Sequence, residues 1–269
     1  MVESGTAKAT TPGERHVRAE TVAHVGWLLF DRPPVNAFDW VIVRQVAETF
    51  DALAADSEVR VIVLGSANPR YFSAGADLET FAGIDEGGMA DWCDLVHGLV
   101  HRFRSSAKPM LAAIDGVAVG GGLEMTLHCD VRFAARTARL GQPEVNINFI
   151  PPVGATQALV RLIGRPAALR LLYGGDLVTA EAALALGLVD ELTEPDDLRP
   201  AVQAYGELLA AKPPEALAAI RRTITDGGGR TFEEGLRIEA EEAVRLAGTA
   251  NFAEGVAAFL AKRQPDWRR

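Results

Sequence analysis

Two glutamates, Glu124 and Glu144, lie 20 residues apart. Glu124 stands between apolar Leu123 and Met125, two residues after the last of the three glycines 120–122. A buried carboxylate without a partner is costly and tends to mark a functional site. A helix that begins at the glycines would present unpaired N–H groups to an anionic oxygen. These residues predict a functional site beside N–H groups that can bind an anionic oxygen.

Each of these features also has a simpler interpretation when it is taken alone. Glu144 follows Pro143 in a predicted extended segment, where it could be a solvated surface charge. The segment 72–78, FSAGADL, has small residues that allow backbone N–H groups to approach a ligand, yet it also fits a tight turn. The glycines 120–122 form neither GxGxxG nor GxxxxGK[ST], which excludes dinucleotide and P-loop motifs there.

Composition narrows the class of protein. The 269 residues suit one large domain or a domain with an appendage, and a net charge of -9 argues against nucleic acid and anionic membrane as main partners. No apolar run is long enough to span a membrane. The five histidines show no metal-ligand spacing, so we expect no metal. Cys93 and Cys129 are isolated, as in reduced cytoplasmic proteins.

Hydrophobic periodicity divides the chain into a mixed α/β part and a helical part. Residues 1–15 are polar and predict a disordered tail. The core, residues 16–195, alternates predicted strands at 16–31, 60–66, 108–116, 130–135 and 188–192 with helices at 39–55, 123–129 and 179–187. Residues 196–269 contain only predicted helices, at 196–212, 214–225, 231–246 and 251–263.

In order and spacing, these segments resemble the crotonase (enoyl-CoA hydratase/isomerase) superfamily. The resemblance spans about residues 17–263 and includes DRPPVNAF, FSAGADL, KPMLAAIDG, DGVAVGGGLEMTLHCD, LYGGDLVTAEAALALGLVDEL and NFAEGVAAFLAKR. It implies an α/β fold, a crotonase-like spiral of repeated ββα units with a C-terminal helical oligomerisation subdomain. That subdomain would build a homotrimer, or a hexamer made from two trimers.

The resemblance also implies roles for individual residues. The backbone N–H groups of Ala76 and Gly121 would form an oxyanion hole, and Glu124 and Glu144 would be the acid/base pair. The implied reaction is addition of water across the 2,3 double bond of a 2-enoyl-CoA thioester. The substrate would be an acyl-CoA, and no cofactor is needed beyond its CoA moiety. Further CoA contacts are implied at Ala74, Asp77, Leu78, Phe259 and Lys262.

Three residues depart from the pattern of the family. Glu79 stands where hydratases often carry a lysine near the CoA phosphates. Pro152 lies in PPVG, where hydratases often read PGAG, and proline has no N–H to donate near the catalytic water. His128, which follows Glu124 by one helical turn, is interpreted as a core histidine.

Two other functions remain open from the sequence. An enoyl-CoA isomerase could shuttle a proton with Glu144 alone, and Pro152 favours that alternative. A non-catalytic CoA- or RNA-binding relative is the other possibility, although the filled glutamate pair and the acidic charge oppose it. The acyl group is not specified by the sequence. Residues 79–92 are expected to border the acyl pocket, and Gly83, Gly87 and Gly88 predict that this segment is mobile.

Overall fold

The computed structural model describes residues 15–267, which form two β-sheets surrounded by helices. The predicted N-terminal tail lies outside the described residues apart from Arg15. The strands are β1 (Val17–Val22), β2 (Val25–Phe30), β3 (Val61–Ser66), β4 (Tyr71–Ser73), β5 (Met110–Ile114), β6 (Val117–Val119), β7 (Val131–Ala135), β8 (Arg139–Gly141), β9 (Leu177–Thr179) and β10 (Glu191–Thr193).

Eleven α-helices are described in residues 15–267. They are α1 (Trp40–Ala55), α2 (Leu78–Phe81), α3 (Glu86–Arg104), α4 (Gly121–Thr126), α5 (Ala155–Ile163), α6 (Arg165–Gly174), α7 (Ala180–Leu186), α8 (Leu198–Ala210), α9 (Pro214–Gly227), α10 (Phe232–Ala247) and α11 (Ala250–Leu260). Two 3₁₀ helices lie at Glu144–Ile147 and Pro195–Asp197. No helix among the described residues is both long enough and apolar enough to cross a membrane.

The larger sheet forms the centre of the core. Its strand order is β1-β2-β3-β5-β7-β10, and only the β1–β2 pair is antiparallel. Strands β2 and β5 are buried along their whole length, because helices cover both faces of the sheet. Alternate residues of β3 therefore enter two cores, with Ile62 among the residues that pack around α1 and Val63 among those that pack against α8.

The chain repeats a ββα unit, which confirms the predicted fold class. After each of β3, β5 and β7, the chain adds a three-residue strand to a second sheet, whose order is β4-β6-β8-β9, and then enters a helix. Sequence periodicity found only the first strand of each pair, because three residues are too few to display alternation.

The second sheet brings the three candidate segments together. Strands β4, β6 and β8 are adjacent and parallel, so their carboxyl ends lie at one edge. Segment 74–77 follows β4, segment 120–124 follows β6, and segment 142–144 follows β8. Residues that are far apart in sequence thus leave the sheet at the same place, as at the ligand sites of other parallel sheets.

The C-terminal part is helical, as predicted. Arg221 of α9 is buried and joins this part to the core through its ion pair with Asp130, at 2.9 Å, and through donation to the carbonyls of Phe103, Arg104 and Ser106. Because a buried ion pair loses its hydration, these extra hydrogen bonds are needed to offset the desolvation cost.

Two local predictions were wrong. The last core strand is Glu191–Thr193 and not 188–192, because Leu188 and Val189 turn into the core after α7. Glu144 begins a 3₁₀ helix and does not lie in an extended segment. The segment predicted to be mobile is partly helical: Gly87 and Gly88 belong to the first turn of α3, where the Asp85 carboxylate accepts the Gly88 N–H at 2.8 Å. Its mobility remains a prediction.

Candidate active site

A cavity of about 250 Å³ opens at the edge where β4, β6 and β8 end. Six residues predicted to act in catalysis or binding line it: Ala74, Ala76, Leu78, Gly121, Glu124 and Glu144. The remaining wall is mainly apolar and includes Phe38, Val43, Phe81, Trp92, Val96, Met125, Ile147 and Phe149. A pocket with an apolar wall and a few convergent polar groups suits an acyl chain that carries one reactive polar group.

Two backbone N–H groups in this wall have no protein partner among the described residues. A parallel bridge joins Phe38 to Ala76, but its hydrogen bonds are made by the two neighbours of Ala76 in the chain. Phe38 N donates to Gly75 O at 2.7 Å, and Asp77 N donates to Phe38 O at 2.8 Å. The Ala76 N–H is therefore left unpaired. Gly121 is the first residue of α4, where helix geometry provides no acceptor for its N–H.

Gly75 allows the two segments that carry these N–H groups to approach each other. Its φ is +83°, a conformation that residues with a side chain rarely adopt. A methyl group on Gly75 would lie 2.9 Å from Val119 O and 3.5 Å from Gly121 N. The absence of a side chain thus allows the segment that contains Ala76 to lie close to the segment that contains Gly121.

Glu124 is fully buried and is held by the main chain of a distant turn. Its Oε1 accepts the Val153 N–H at 2.8 Å and the Ala155 N–H at 2.9 Å. Its Oε2 has no hydrogen-bond partner among residues 15–267. One oxygen of the carboxyl group is therefore fixed, and the other is available to exchange a proton in the cavity.

Glu144 is held by side chains and by the shape of the glycine loop. The surroundings of the buried Gln142 amide orient its nitrogen toward this carboxylate, 3.3 Å from Oε1 and 3.0 Å from Oε2. Gly120 has a φ of +51°, and a Cβ there would lie 2.7 Å from Glu144 Oε1. The glycine before Gly121 is thus required both for the turn and for the position of Glu144.

Both carboxyl groups have raised pKa values. Burial raises the pKa of Glu124 to about 8, the hydrogen bonds from Ala155 and Val153 oppose this change, and the charge of Glu144 adds to it. Burial also raises the pKa of Glu144 to about 7. Two interacting carboxyl groups with such pKa values can hold a single proton between them near neutral pH.

Three residues predicted to contact CoA do not line this cavity. The Asp77 carboxylate instead pairs with buried Arg32 at 3.0 Å and accepts the Glu79 N–H at 3.2 Å. Phe259 lies in a second cavity near α9 and α11, and its side chain is 83% exposed. Lys262 follows α11 and lines neither cavity. Their contacts with CoA remain predictions.

Several residues that hold the glutamates were not identified from the sequence. Val153 and Ala155 act through backbone N–H groups, which any residue except proline carries. Gln142 was detectable in principle, because it is a polar residue directly after β8 and two positions before Glu144. In the described chain, no group of three or more His, Cys, Asp or Glu side chains could hold a metal ion.

Comparisons with known proteins agree with this fold. The enoyl-CoA hydratase/isomerase family model matches residues 20–269. A probable enoyl-CoA hydratase of Rhizobium meliloti is 34% identical over 93% of this chain and 96% of its own length. The 2,3-dehydroadipyl-CoA hydratase of Escherichia coli is 34% identical over 90% of this chain and 94% of its own.

Solved structures show that other proteins share this fold. Pseudomonas aeruginosa DspI superimposes with a TM-score of 0.91 and 31% identity, covering 97% of this chain and all of that one. An enoyl-CoA hydratase from Bacillus anthracis has a TM-score of 0.90 and 29% identity, covering 94% of this chain and 99% of that one. Because the family model and these relatives cover nearly the whole chain, the protein belongs to the enoyl-CoA hydratase/isomerase family, in the crotonase superfamily.

Proposed function

We propose that this protein is an enoyl-CoA hydratase that adds water across the 2,3 double bond of a 2-enoyl-CoA thioester. One observation carries the proposal: two carboxyl groups with raised pKa values line the same cavity as two unpaired backbone N–H groups. Several curated relatives, among them the Rhizobium and Escherichia proteins, are named as hydratases.

In the proposed mechanism, the thioester oxygen accepts hydrogen bonds from the N–H groups of Ala76 and Gly121. These bonds draw electron density from the double bond and stabilise the negative charge that develops on the oxygen when water attacks the β-carbon. Donors fixed in this way typically contribute about 10²–10³ in rate each. They belong to the main chain, so the protein does not have to reorganise as the charge develops.

The two glutamates complete the transfer of protons. The ionised glutamate takes a proton from the water molecule as the water oxygen bonds to the β-carbon, and the protonated glutamate gives its proton to the α-carbon. The pair as a whole neither gains nor loses a proton. The free Oε2 of Glu124 and the carboxylate of Glu144 are the atoms that exchange protons in this scheme. No cofactor is required beyond the CoA moiety of the substrate.

Isomerisation of a 3-enoyl to a 2-enoyl thioester is the second candidate. Pro152 lines the cavity beside Val153 and has no N–H to hold a water molecule. One carboxylate suffices for isomerisation, because the same proton leaves one carbon and returns to another.

The proposal includes assembly into a homotrimer or a hexamer of two trimers. Large apolar side chains of the C-terminal helices are exposed, including Phe232 and Val244 at 76% and Phe259 at 83%. Apolar side chains this exposed are typical of interaction surfaces. A partner subunit would also be needed to bring Phe259 and Lys262 to a CoA. Sedimentation as a monomer at micromolar concentration would refute this assembly.

We also propose a cytoplasmic location, supported by the two free thiols of Cys93 and Cys129. The test of the catalytic proposal is turnover of 2-enoyl-CoA esters of several chain lengths. The conjugated thioester absorbs in the ultraviolet, and hydration removes that absorbance. Failure to consume 2-enoyl esters, together with formation of the conjugated product from 3-enoyl esters, would favour the isomerase.

A further inference from the structure

The turn formed by residues 150–155 holds Glu124, and other side chains in turn bind the carbonyl groups of this turn. Its N–H groups at Val153 and Ala155 both reach Glu124 Oε1. They converge because Gly154, between them, has a φ of +99°. The orientation of the Glu124 carboxyl group therefore depends on how the peptide groups of this turn are rotated.

Two histidines bind the carbonyl groups of the same turn. His128 Nε2 lies 2.8 Å from Val153 O, and His97 Nε2 lies 2.9 Å from Pro152 O. A carbonyl oxygen can only accept a hydrogen bond, so both ring nitrogens must carry hydrogen. His97 comes from α3, and His128 comes from the end of the segment that begins with α4. Two successive peptide groups are thus fixed from two different parts of the core.

The imidazole of His128 fits closely against the turn. Its side chain is buried, and a Cβ on Gly154 would lie 3.1 Å from His128 Cε1. Burial is the main reason why the pKa of His128 falls to about 4; the Val153 carbonyl opposes the change and Arg104 adds to it. The ring is therefore neutral at neutral pH. A neutral ring that donates to a main-chain carbonyl is suited to holding a peptide group, not to exchanging protons with a substrate.

We propose that His128 is a positioning residue for Glu124, acting through the peptide group between Val153 and Gly154. That peptide group lies between the two whose N–H groups bind Glu124 Oε1, so its bond to His128 fixes their relative orientation and leaves Oε2 to transfer the proton. His97 holds the Pro152–Val153 peptide group, which carries the Val153 N–H, from a more exposed position. This inference rests on the proposed function, because it assumes that Glu124 transfers a proton.

The loss of His128 has a specific expected consequence. Without its bond, the peptide group between Val153 and Gly154 can rotate, and the Val153 and Ala155 N–H groups on either side of it, which favour the ionised form of Glu124, lose their alignment. The pKa of Glu124 then rises. The charge of Glu144 also acts on the pKa of Glu124. Binding of the thioester should change little, because the N–H groups of Ala76 and Gly121 belong to other segments.

The test compares His128→Leu with His128→Gln. Leucine has a similar size but cannot donate, whereas the glutamine amide can reach the place of the imidazole Nε2. We expect His128→Leu to lower kcat by roughly 10- to 100-fold with KM changed less than about threefold, and to move the alkaline limb of the rate profile to higher pH. His128→Gln should recover most of kcat and the wild-type profile.

His16→Leu is the matched control. His16 is also a buried histidine, at the start of β1, and it does not line the cavity. Its loss can lower the melting temperature, but kcat and the pH profile should not move. If His128→Leu behaves in the same way, with lower stability and an unchanged kcat and profile, His128 is only a core residue and the inference is wrong.

Two further measurements keep the inference testable. If His128→Leu does not fold, His128→Asn replaces it, because asparagine is too short to reach Val153 O; equal kcat values for the Asn and Gln variants would refute the positioning role. If the wild-type protein hydrates no enoyl thioester, the proposed function fails first. Carbon-13 NMR titration of the Glu124 carboxyl group then tests His128 alone, with a higher pKa in the variant as support and an unchanged pKa as refutation.

Discussion

The two walls of the cavity hold their glutamates in different ways. The Glu124 wall consists of α4 and the turn 150–155, and its contacts to the carboxyl group are main-chain N–H groups inside the core. The Glu144 wall is a four-residue 3₁₀ helix, whose residues Val145 and Ile147 are 42% and 54% exposed. Here the carboxylate accepts hydrogen bonds from the side-chain amide of Gln142.

This difference indicates which glutamate is fixed and which can adjust. A carboxyl group held by two backbone N–H groups within a packed core has few alternative orientations. A carboxyl group on a short, exposed helix depends on one side chain and on the space beside Gly120. We infer that Glu124 provides a rigid reference for the substrate, and that Glu144 makes the small movements needed as bonds form and break.

The largest expected effect comes from substitution of Glu144, in the Glu144 wall. Glu144→Gln keeps the size of the side chain but removes its acid/base capacity. Because both hydration and isomerisation need this carboxylate, kcat for each should fall by about 10²–10⁴. The measurement is turnover of 2-enoyl and 3-enoyl thioesters, with thermal unfolding as the control for folding. If the variant keeps more than a tenth of either activity, Glu144 does not have the proposed role.

A comparison of two adjacent glycines tests the space beside Glu144. A Cβ at Gly120 would meet Glu144 Oε1 at 2.7 Å in a strained conformation, whereas a Cβ at Gly121 meets only Phe38 at 3.5 Å and Val153 at 3.8 Å. We expect Gly120→Ala to lower kcat by about 100-fold and Gly121→Ala by less than about tenfold, because alanine at 121 retains the N–H. Equal losses in the two variants would contradict this account of the glycine loop.

The pH dependence sharpens the comparison between the walls. Activity needs one carboxyl group ionised and one protonated. The pKa values of about 7 for Glu144 and about 8 for Glu124 therefore predict a bell-shaped kcat profile, which falls below about pH 7 and above about pH 8. Gln142→Met removes the donor that favours ionised Glu144, which raises the pKa of Glu144. The acidic limb should then move to higher pH, and kcat at pH 7 should fall by about tenfold.

The result that would contradict this assignment is a shift of the alkaline limb in Gln142→Met with the acidic limb unchanged. Gln142 would then act on Glu124 and not on Glu144. The matched variant for this test is His128→Leu, which should move the alkaline limb and leave the acidic one. The two variants together test whether the walls titrate as two separately controlled groups.

The sequence predicted features that depend on local signals. Helix α1 was predicted at residues 39–55 because its apolar periodicity lies within one segment, and in the structure Asp39 caps it by accepting the N–H groups of Val41 and Ile42. The C-terminal helices and α7 were found for the same reason. The position of Glu124 in the first turn of a buried helix also followed from its apolar neighbours and the preceding glycines.

Features that depend on distant contacts could not be predicted. Glu124 is bound by N–H groups 29 and 31 residues further along the chain, and no residue type marks them. The role of His128 is equally hidden, because the sequence pattern is the same whether a buried histidine near a glutamate donates to Val153 O or only fills space. Strands β4, β6 and β8 are too short to show periodicity, yet they are the elements that bring the site together.

The most direct test of the central claim, that both walls act in one hydration reaction, is the activity of Glu124→Gln. The substitution keeps an oxygen that can accept the Val153 and Ala155 N–H groups but removes the exchangeable proton. We predict that hydration of a 2-enoyl thioester falls by about 10²–10⁴ with little change in KM, while the protein remains folded. Near-normal hydration by Glu124→Gln would contradict the claim. So would a wild-type protein that only isomerises 3-enoyl esters and retains that activity in the variant, because Glu144 would then be working alone.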